Sequence, residues 1–504
     1  MILSRGAILV SVIGIAISLF IVTGSFVKGH CVSNVGISSF LSGMHQVKAL
    51  RYFSCSFQTF PDPSRTSGLP FLAEVFATDE GRSLYFVAVN KGSCLREWKG
   101  LQEFHRGWRK RGHRFLCMFP DGSTVLSDEL HRREPNDTVW SNALMMIRCE
   151  VPALFRDKLR IPRAFTDFTV SLHAIDQKSL KPLGRDDTSY QDLPVCQGEW
   201  PAYNGTMIAP PTRKYFASLM TRLKLTYSAN GVDMKISTSI SDVVAWIEYH
   251  RMIGFEHFYI FDHDSEEHGV LEAGLMPFID AGVVTYVWYP YTDCIRDHEV
   301  KPGVGPGGYD QLRIGQYSCT NGALRRYAHQ TEYMAHWDVD EYMVLPQGKK
   351  IQEVVHSFGQ PLSDAFMLEE WWYSACHDHV DNHNMLQVEK CRCAVKDSTP
   401  AKSLMRTDRV LYFLVHRPHA TLSNTVPHTV PMNQSVAFLA HFRQRKRIRF
   451  DRNRNVSSSQ PHPEPDKLYK WSPILRERLG LYIHALSQTQ QRHSAESKTL
   501  ATVD

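Results

Sequence analysis

Between Ser241 and Met343 the chain alternates helix-like and strand-like segments at short spacing, and this alternation does most to narrow its possible folds. Ser241 or Asp242 can cap a helix whose apolar residues are Val243, Val244, Trp246, Ile247 and Ile253, and Gly254 ends it. The strand Phe258-Tyr259-Ile260-Phe261 follows and stops at Asp262-His263-Asp264-Ser265. A helix near Leu271 to Ile279, a strand from Val283 to Trp288 and a Gly/Pro-rich loop over 301–309 come next. A third helix, near Ile314 to Gln330, leads into an acidic segment. The pattern predicts a mostly parallel α/β sheet. Ligands of such sheets bind beyond the carboxyl ends of strands. Asp262 and Asp338 both stand at such ends.

The acidic segment is Ala335-His336-Trp337-Asp338-Val339-Asp340-Glu341-Tyr342-Met343. On a strand, side chains alternate faces, so Asp338 and Asp340 are expected to point the same way. Two adjacent carboxylates repel unless a cation lies between them. A hard divalent cation with positions open for phosphate oxygens meets that need. A solvated acidic turn or a Ca²⁺ site is the plainer alternative.

Upstream, Phe71–Phe76, Ser83–Val89 and Phe168–Leu172 are short apolar or alternating runs, and Phe119-Pro120-Asp121-Gly122 is a turn signal. They predict an all-β module over 51–195, followed by a linker over 196–234. Near the C-terminus, Leu468, Trp471, Leu475 and Leu479 suggest a helix from Asp466 to Leu486, with a disordered tail after it.

After Arg5, residues 6–27 carry no charge and are mostly apolar, close to the ~20 residues that span a bilayer. The stretch reads as an uncleaved signal anchor over 1–28 with a stem over 29–50, the remainder being lumenal. Asn-x-Ser/Thr sequons at Asn136, Asn204, Asn433 and Asn455 are compatible with a glycosylating lumen. With 11 cysteines, some are expected to pair. The odd count leaves a thiol or an intermolecular bridge through Cys31, which would make a homodimer. A net charge of +5 on 504 residues implies no general nucleic-acid role.

Trp246-Ile247-Glu248-Tyr249-His250-Arg251-Met252-Ile253-Gly254-Phe255-Glu256-His257-Phe258-Tyr259-Ile260-Phe261-Asp262 resembles the opening motif of glycosyltransferase family 92. Further matches follow in order. Gln316 opens a helix that runs through Arg325 and Tyr327 into Trp337-Asp338-Val339-Asp340-Glu341-Tyr342. Trp372–His377 is similar to an aromatic–small–small–Gly–His segment, with Cys376 in place of the glycine. Lys402–Arg406 with His416 resembles a Lys…Arg…His element, and His441-Phe442-Arg443 a closing His-aromatic-Arg. Gly322 stands where the family usually has an acid.

The resemblance implies a GT-A type nucleotide-diphospho-sugar transferase domain over 235–452, after an all-β accessory domain and an N-terminal transmembrane anchor. It implies Mn²⁺ (or Mg²⁺) held by Asp338 and Asp340, the catalytic pair, against the diphosphate of a UDP-sugar donor. His416 is the choice for a third ligand, and His441 the runner-up. Asp262, Arg325 and Arg443 are candidates for binding the donor. For Arg325 a surface salt pair is the plainer reading. Glu369, Glu370 and Asp378 are candidates for the general base that inversion requires. Trp371 and Trp372 could stack on an acceptor sugar, although burial in the core is the plainer reading. Arg443, Arg445, Lys446, Arg447 and Arg449 form a basic run. The expected protein is a Golgi type II membrane enzyme moving galactose onto a polysaccharide or glycoprotein acceptor. A metal-dependent phosphodiesterase-type hydrolase and a non-catalytic glycan-binding protein are the alternatives.

Overall fold

The computed structural model of the chain describes residues 71–78, 81–89, 115–129, 144–160, 168–175, 179–182, 189–197, 213–223, 240–262, 269–289, 310–328, 330–345, 348–358, 363–374, 393–396, 402–413, 416–422, 425–442 and 471–500. No described helix is long and apolar enough to cross a membrane. The expected anchor and stem, Asn136, Asn204, Asn455 and the basic run from Arg443 onward lie outside the described residues.

The described N-terminal residues are strand-rich, as the short alternating runs predict, but they are not all-β, because a helix lies among the strands. Strands β1 (Phe71–Thr78), β2 (Ser83–Val89), β3 (Phe115–Met118), β4 (Thr124–Leu126), β5 (Asp128–Glu129) and β6 (Leu144–Glu150) precede helix α1 (Ala153–Arg160). Strands β7 (Thr169–Ala174), β8 (Ser189–Pro194) and β9 (Cys196–Gln197) follow it. They form two sheets, β5-β6-β2-β1-β9 and β4-β3-β7-β8. Val75, Phe86 and Ile147 from one sheet share a core with Phe115 and Leu172 from the other. A disulfide, Cys117–Cys149, joins β3 to β6 and so ties the two sheets together.

Strand β10 (Tyr215–Leu223) lies within the segment expected to be a linker. It is the third strand of a seven-stranded sheet. Its burial explains why its residues carry no strand signal in the sequence. Tyr215, Ala217, Ser218, Leu219, Met220 and Thr221 are all buried, so the two-residue alternation that marks a half-exposed strand is absent. From β10 the chain runs through α2 (Ile240–Met252), β11 (His257–Asp262), α3 (Val270–Asp280), β12 (Val284–Trp288) and α4 (Asp310–Tyr327) to β13 (Thr331–His336). Helix α2 starts at Ile240, so Ser241 and Asp242 lie inside its first turn rather than capping it. Gly254 does end the segment, at φ +104, a backbone conformation that favours glycine.

Strands β10, β11, β12 and β13 are mutually parallel. The chain moves outward from β10 to β12, then returns to place β13 on the other side of β10. The order reverses between β10 and β13, which is where an α/β sheet opens a crevice for ligands. Strands β15 (Ala365–Leu368), β18 (Lys402–Arg406) and β21 (Thr429–Met432) complete the sheet, with β18 antiparallel to β13. A second sheet, β14-β22-β16-β17, is built from β14 (Glu341–Val344), β16 (Glu370–Ser374), β17 (Cys393–Lys396) and β22 (Phe438–Phe442). Helix α5 (Ile351–Ser357) follows β14, and β19 (Val410–Phe413) pairs with β20 (Pro418–Thr421) as a hairpin.

Helix α6 (Ser472–Leu500) extends well beyond the expected Leu486, into the segment expected to be disordered. It packs on α2 and α3. Leu475 and Tyr482 are buried there, and the Tyr482 ring stacks on Phe278 at 5.0 Å. The N-terminal sheets meet the α/β sheet through α4, which contacts β1, β2 and β6 as well as β10 and β19.

Candidate functional site

The acidic pair is not on a strand. Strand β13 ends at His336, and Asp338-Val339-Asp340 forms a turn closed by the Glu341 N–H donating to the Asp338 carbonyl at 2.9 Å. Two features bend the chain here. The Asp338 N–H donates to Glu341 Oε2 at 2.8 Å, and the buried Trp337 and Val339 rings and methyls anchor the turn in the core. A strand would have placed both carboxylates on one face. The turn instead gives each its own cationic partner.

Asp338 faces Lys402. The Lys402 Nζ lies 3.4 Å from Asp338 Oδ2 and 3.1 Å from Glu341 Oε2. Lys402 is fully buried on β18, the strand beside β13, while the Asp338 side chain keeps 41% of its exposure. Burial works against the charge on Asp338, but Lys402, then His336 and His441, outweigh it and hold the carboxyl below its usual range. Burial pushes Glu341 up to about 8, against the pull of Lys402. Glu341 Oε1 is buried and has no hydrogen-bond partner among the described residues.

Asp340 faces His441. The imidazole Nε2 lies 3.2 Å from Asp340 Oδ2, and Nδ1 bonds to Glu370 Oε1. Burial opposes the imidazolium, yet Asp340, Glu370 and Glu341 together raise His441 well above its ordinary value. Strand pairing sets up the cluster. His441 sits opposite Glu341 across β14 and β22, and Glu370 enters from β16 on the other flank of β22. One ligand atom each from Glu341, Glu370 and His441 lies within 4.8 Å of the others. Carboxylate oxygens and an imidazole nitrogen, with a buried carboxylate oxygen lacking any bond, suit a divalent cation such as Mn²⁺ or Mg²⁺.

The opening motif acts at a distance from its own position in the chain. From α2, the Trp246 Nε1–H donates to the Glu341 carbonyl and the Tyr249 hydroxyl to the Met343 carbonyl, each at 2.8 Å. Burial pushes His250 down to about 3, so its ring is neutral. Its Nδ1 bonds to the Trp246 carbonyl, which leaves Nε2 to accept the Met343 N–H at 3.3 Å. Three consecutive contacts therefore fix the strand that leaves the acidic turn.

The other expected site residues fall as follows. His416 lies in the β19–β20 hairpin, where its carbonyl accepts the Ser403 hydroxyl at 2.7 Å. It is close enough to His336 to act on it electrostatically, but His441, not His416, is the histidine on the acidic turn. Asp262 ends β11, two strands from β13, and is fully buried with Oδ2 accepting the Tyr286 hydroxyl at 2.8 Å. Arg325 is buried in α4 and donates to the Val410 carbonyl of β19, so it is not in a surface salt pair. Glu370 is committed to His441 and Glu369 is exposed. Trp371 is core. Arg443 and Asp378 lie outside the described residues. Lys402, Glu341 and Glu370 carry the cluster; each falls in or beside a motif of the sequence, but no local pattern tells that the three meet.

Residues 236–468 match the model of glycosyltransferase family 92. Galactan beta-1,4-galactosyltransferase GALS1 of Arabidopsis thaliana is 29% identical over 140 residues, which are 27% of this chain and 24% of that protein. The match thus spans about a quarter of the relative's length. Among solved structures, a 4-diphosphocytidyl-2C-methyl-D-erythritol synthase from Anaerococcus prevotii aligns at a TM-score of 0.20 and 9% identity, over 38% of this chain and 70% of its own. An amylomaltase from Corynebacterium glutamicum aligns at 0.10 and 9%, over 40% of this chain and 30% of its own. Likenesses this low carry no argument about the fold.

Proposed function

We propose that the glycosyltransferase family 92 domain at residues 236–468 transfers a hexose, galactose from UDP-galactose, to a glycan acceptor in a metal-dependent, inverting reaction. The observation that carries this reading is the pairing of Asp340 with His441 on the turn that follows β13, at the reversal point of the sheet. In this reading the domain is of GT-A type, and Asp338, Asp340 and His441 hold Mn²⁺ or Mg²⁺. His441 takes the place expected for His416. A bound ion would stabilise the negative charge that develops on the departing diphosphate.

The chain's own groups do the rest. Lys402 keeps Asp338 ionised in a half-buried position. Trp246, Tyr249 and His250 hold the turn's exit strand, so the carboxylates do not need to reorganise when the donor arrives. The galactose assignment rests on the relative being a galactosyltransferase that matches over 140 residues. The Golgi location and type II topology rest on the apolar stretch over 6–27 and the sequons; among these, Asn433 lies exposed in the turn between β21 and β22.

The test is UDP-galactose turnover by the purified chain with Mn²⁺ or with chelator. Turnover is expected only with the ion, and Asp340→Asn should lower kcat/KM by about 100-fold or more. Equal turnover in chelator, or by Asp340→Asn, refutes the metal site. Release of galactose to water with no gain on adding glycan acceptors would favour a hydrolase.

A further inference from the structure

Glu370 belongs to the buried cluster with Glu341 and His441, but it is not one of the three residues, Asp338, Asp340 and His441, assigned to the ion above. It lies on β16, whose parallel neighbour β22 carries His441. Trp372 is the residue in register with His441, so Glu370, two positions earlier, shares that face and stands diagonal to the imidazole. The side chain reaches Nδ1, while Nε2 on the opposite side of the ring faces Asp340 at 3.2 Å. Glu341 comes within 3.6 Å of the same Nδ1 but makes no hydrogen bond to it. The ring is therefore held by one carboxylate and presented to another.

We propose that Glu370 is a positioning residue: by engaging Nδ1 of His441, it fixes which ring nitrogen is turned toward Asp340 and so prebuilds the cation pocket. The inference rests on the metal-dependent reading above and adds the residue that orients its histidine. An imidazole ligand has two nitrogens, and the hydrogen bond made by one decides which is offered to the ion. Without Glu370 the ring would be free to turn or to change tautomer within the sheet, and the pocket would have to be assembled at each binding event. A merely structural Glu370, present to neutralise a buried histidine, would affect folding and not ion affinity.

The experiment titrates the purified full-length chain with Mn²⁺ alone, by calorimetry and by the fluorescence of the adjacent Trp337 and Trp371. Glu370→Gln keeps the size of the side chain and removes its charge. It is expected to weaken Mn²⁺ binding by roughly 10- to 100-fold. The Mn²⁺ concentration giving half-maximal turnover should rise in parallel, with turnover at saturating Mn²⁺ changed far less. Glu370→Asp keeps the charge but shortens the reach; it should weaken binding in the same direction, and it decides the matter if the glutamine variant does not fold. Mn²⁺ affinity within twofold of the parent in a folded variant, alongside a large loss in Asp340→Asn, overturns the role of Glu370 and leaves the metal reading intact. Unchanged affinity in both Asp340→Asn and His441→Gln overturns the metal reading, and this proposal with it.

Discussion

Single residues in this protein are tuned mainly by burial. His250 is wholly enclosed, and loss of solvent pushes it down to about 3 although its bond to the Trp246 carbonyl favours the charged form. His257, beneath Lys214, is likewise pushed down to about 4 by burial. In the unfolded chain both would bind a proton near pH 6.5. Between that value and their folded values the unfolded state therefore holds more protons, so the contribution of these two rings to stability is complete above about pH 6.5 and falls as the pH drops. Each histidine contributes a loss of about 1.4 kcal/mol per pH unit over that window. The melting temperature measured by calorimetry should fall steeply from pH 6.5 to 4.5, and a flat profile would contradict the buried, neutral state assigned to these rings.

At the scale of elements, α2 matters most for the site. Its hydrogen bonds to β14 explain why a helix carrying Trp246, Tyr249 and His250 matters to an acidic turn that lies far beyond it in the chain. Burial raises the Tyr249 hydroxyl, so it stays a neutral donor to the Met343 carbonyl. Tyr249→Phe should leave that carbonyl without its partner and cost about 1–3 kcal/mol in urea unfolding. An unchanged midpoint would mean that the bond adds nothing to the position of β14. Elements with distinctive local patterns were legible beforehand. Strand β11 and helix α3 were expected to within one or two residues, because an apolar run bounded by Gly254 and an acid, and a helix closed by Gly282, carry their own punctuation. Strand β10 was not legible, since burial on both faces removes alternation and the prolines upstream imitate a linker.

In the whole molecule, one helix joins two cores. Helix α4 contacts the N-terminal sheets, and the Arg326 guanidinium lies 5.9 Å from the centre of the Phe76 ring. Its Asn321 side chain pairs with both the N–H and the carbonyl of Phe413, each at 2.9 Å, which holds the hairpin carrying His416. Helix α6 lies past the end of the family match, yet Arg478 bonds to Glu248 of α2 at 2.6 Å and Leu475 joins the main core. It is structurally part of the domain. Leu475→Ala should therefore cost about 2–5 kcal/mol in chemical unfolding. A loss below 0.5 kcal/mol would show that α6 is only loosely attached.

The alternating α/β pattern, the strand-rich module before it, the acidic motif and its likeness to glycosyltransferase family 92 can all be read along the chain. These are carried by local period, by turn residues and by short motifs, all of which are properties of neighbours along the chain. That the acids lie on a turn, that Asp338 meets Lys402, and that Asp340 meets His441 instead of His416 emerge only from the packed chain. Those pairings join residues 64 and 101 positions apart. They are set by which strands lie side by side, and strand order is fixed by packing the whole core rather than by any one segment.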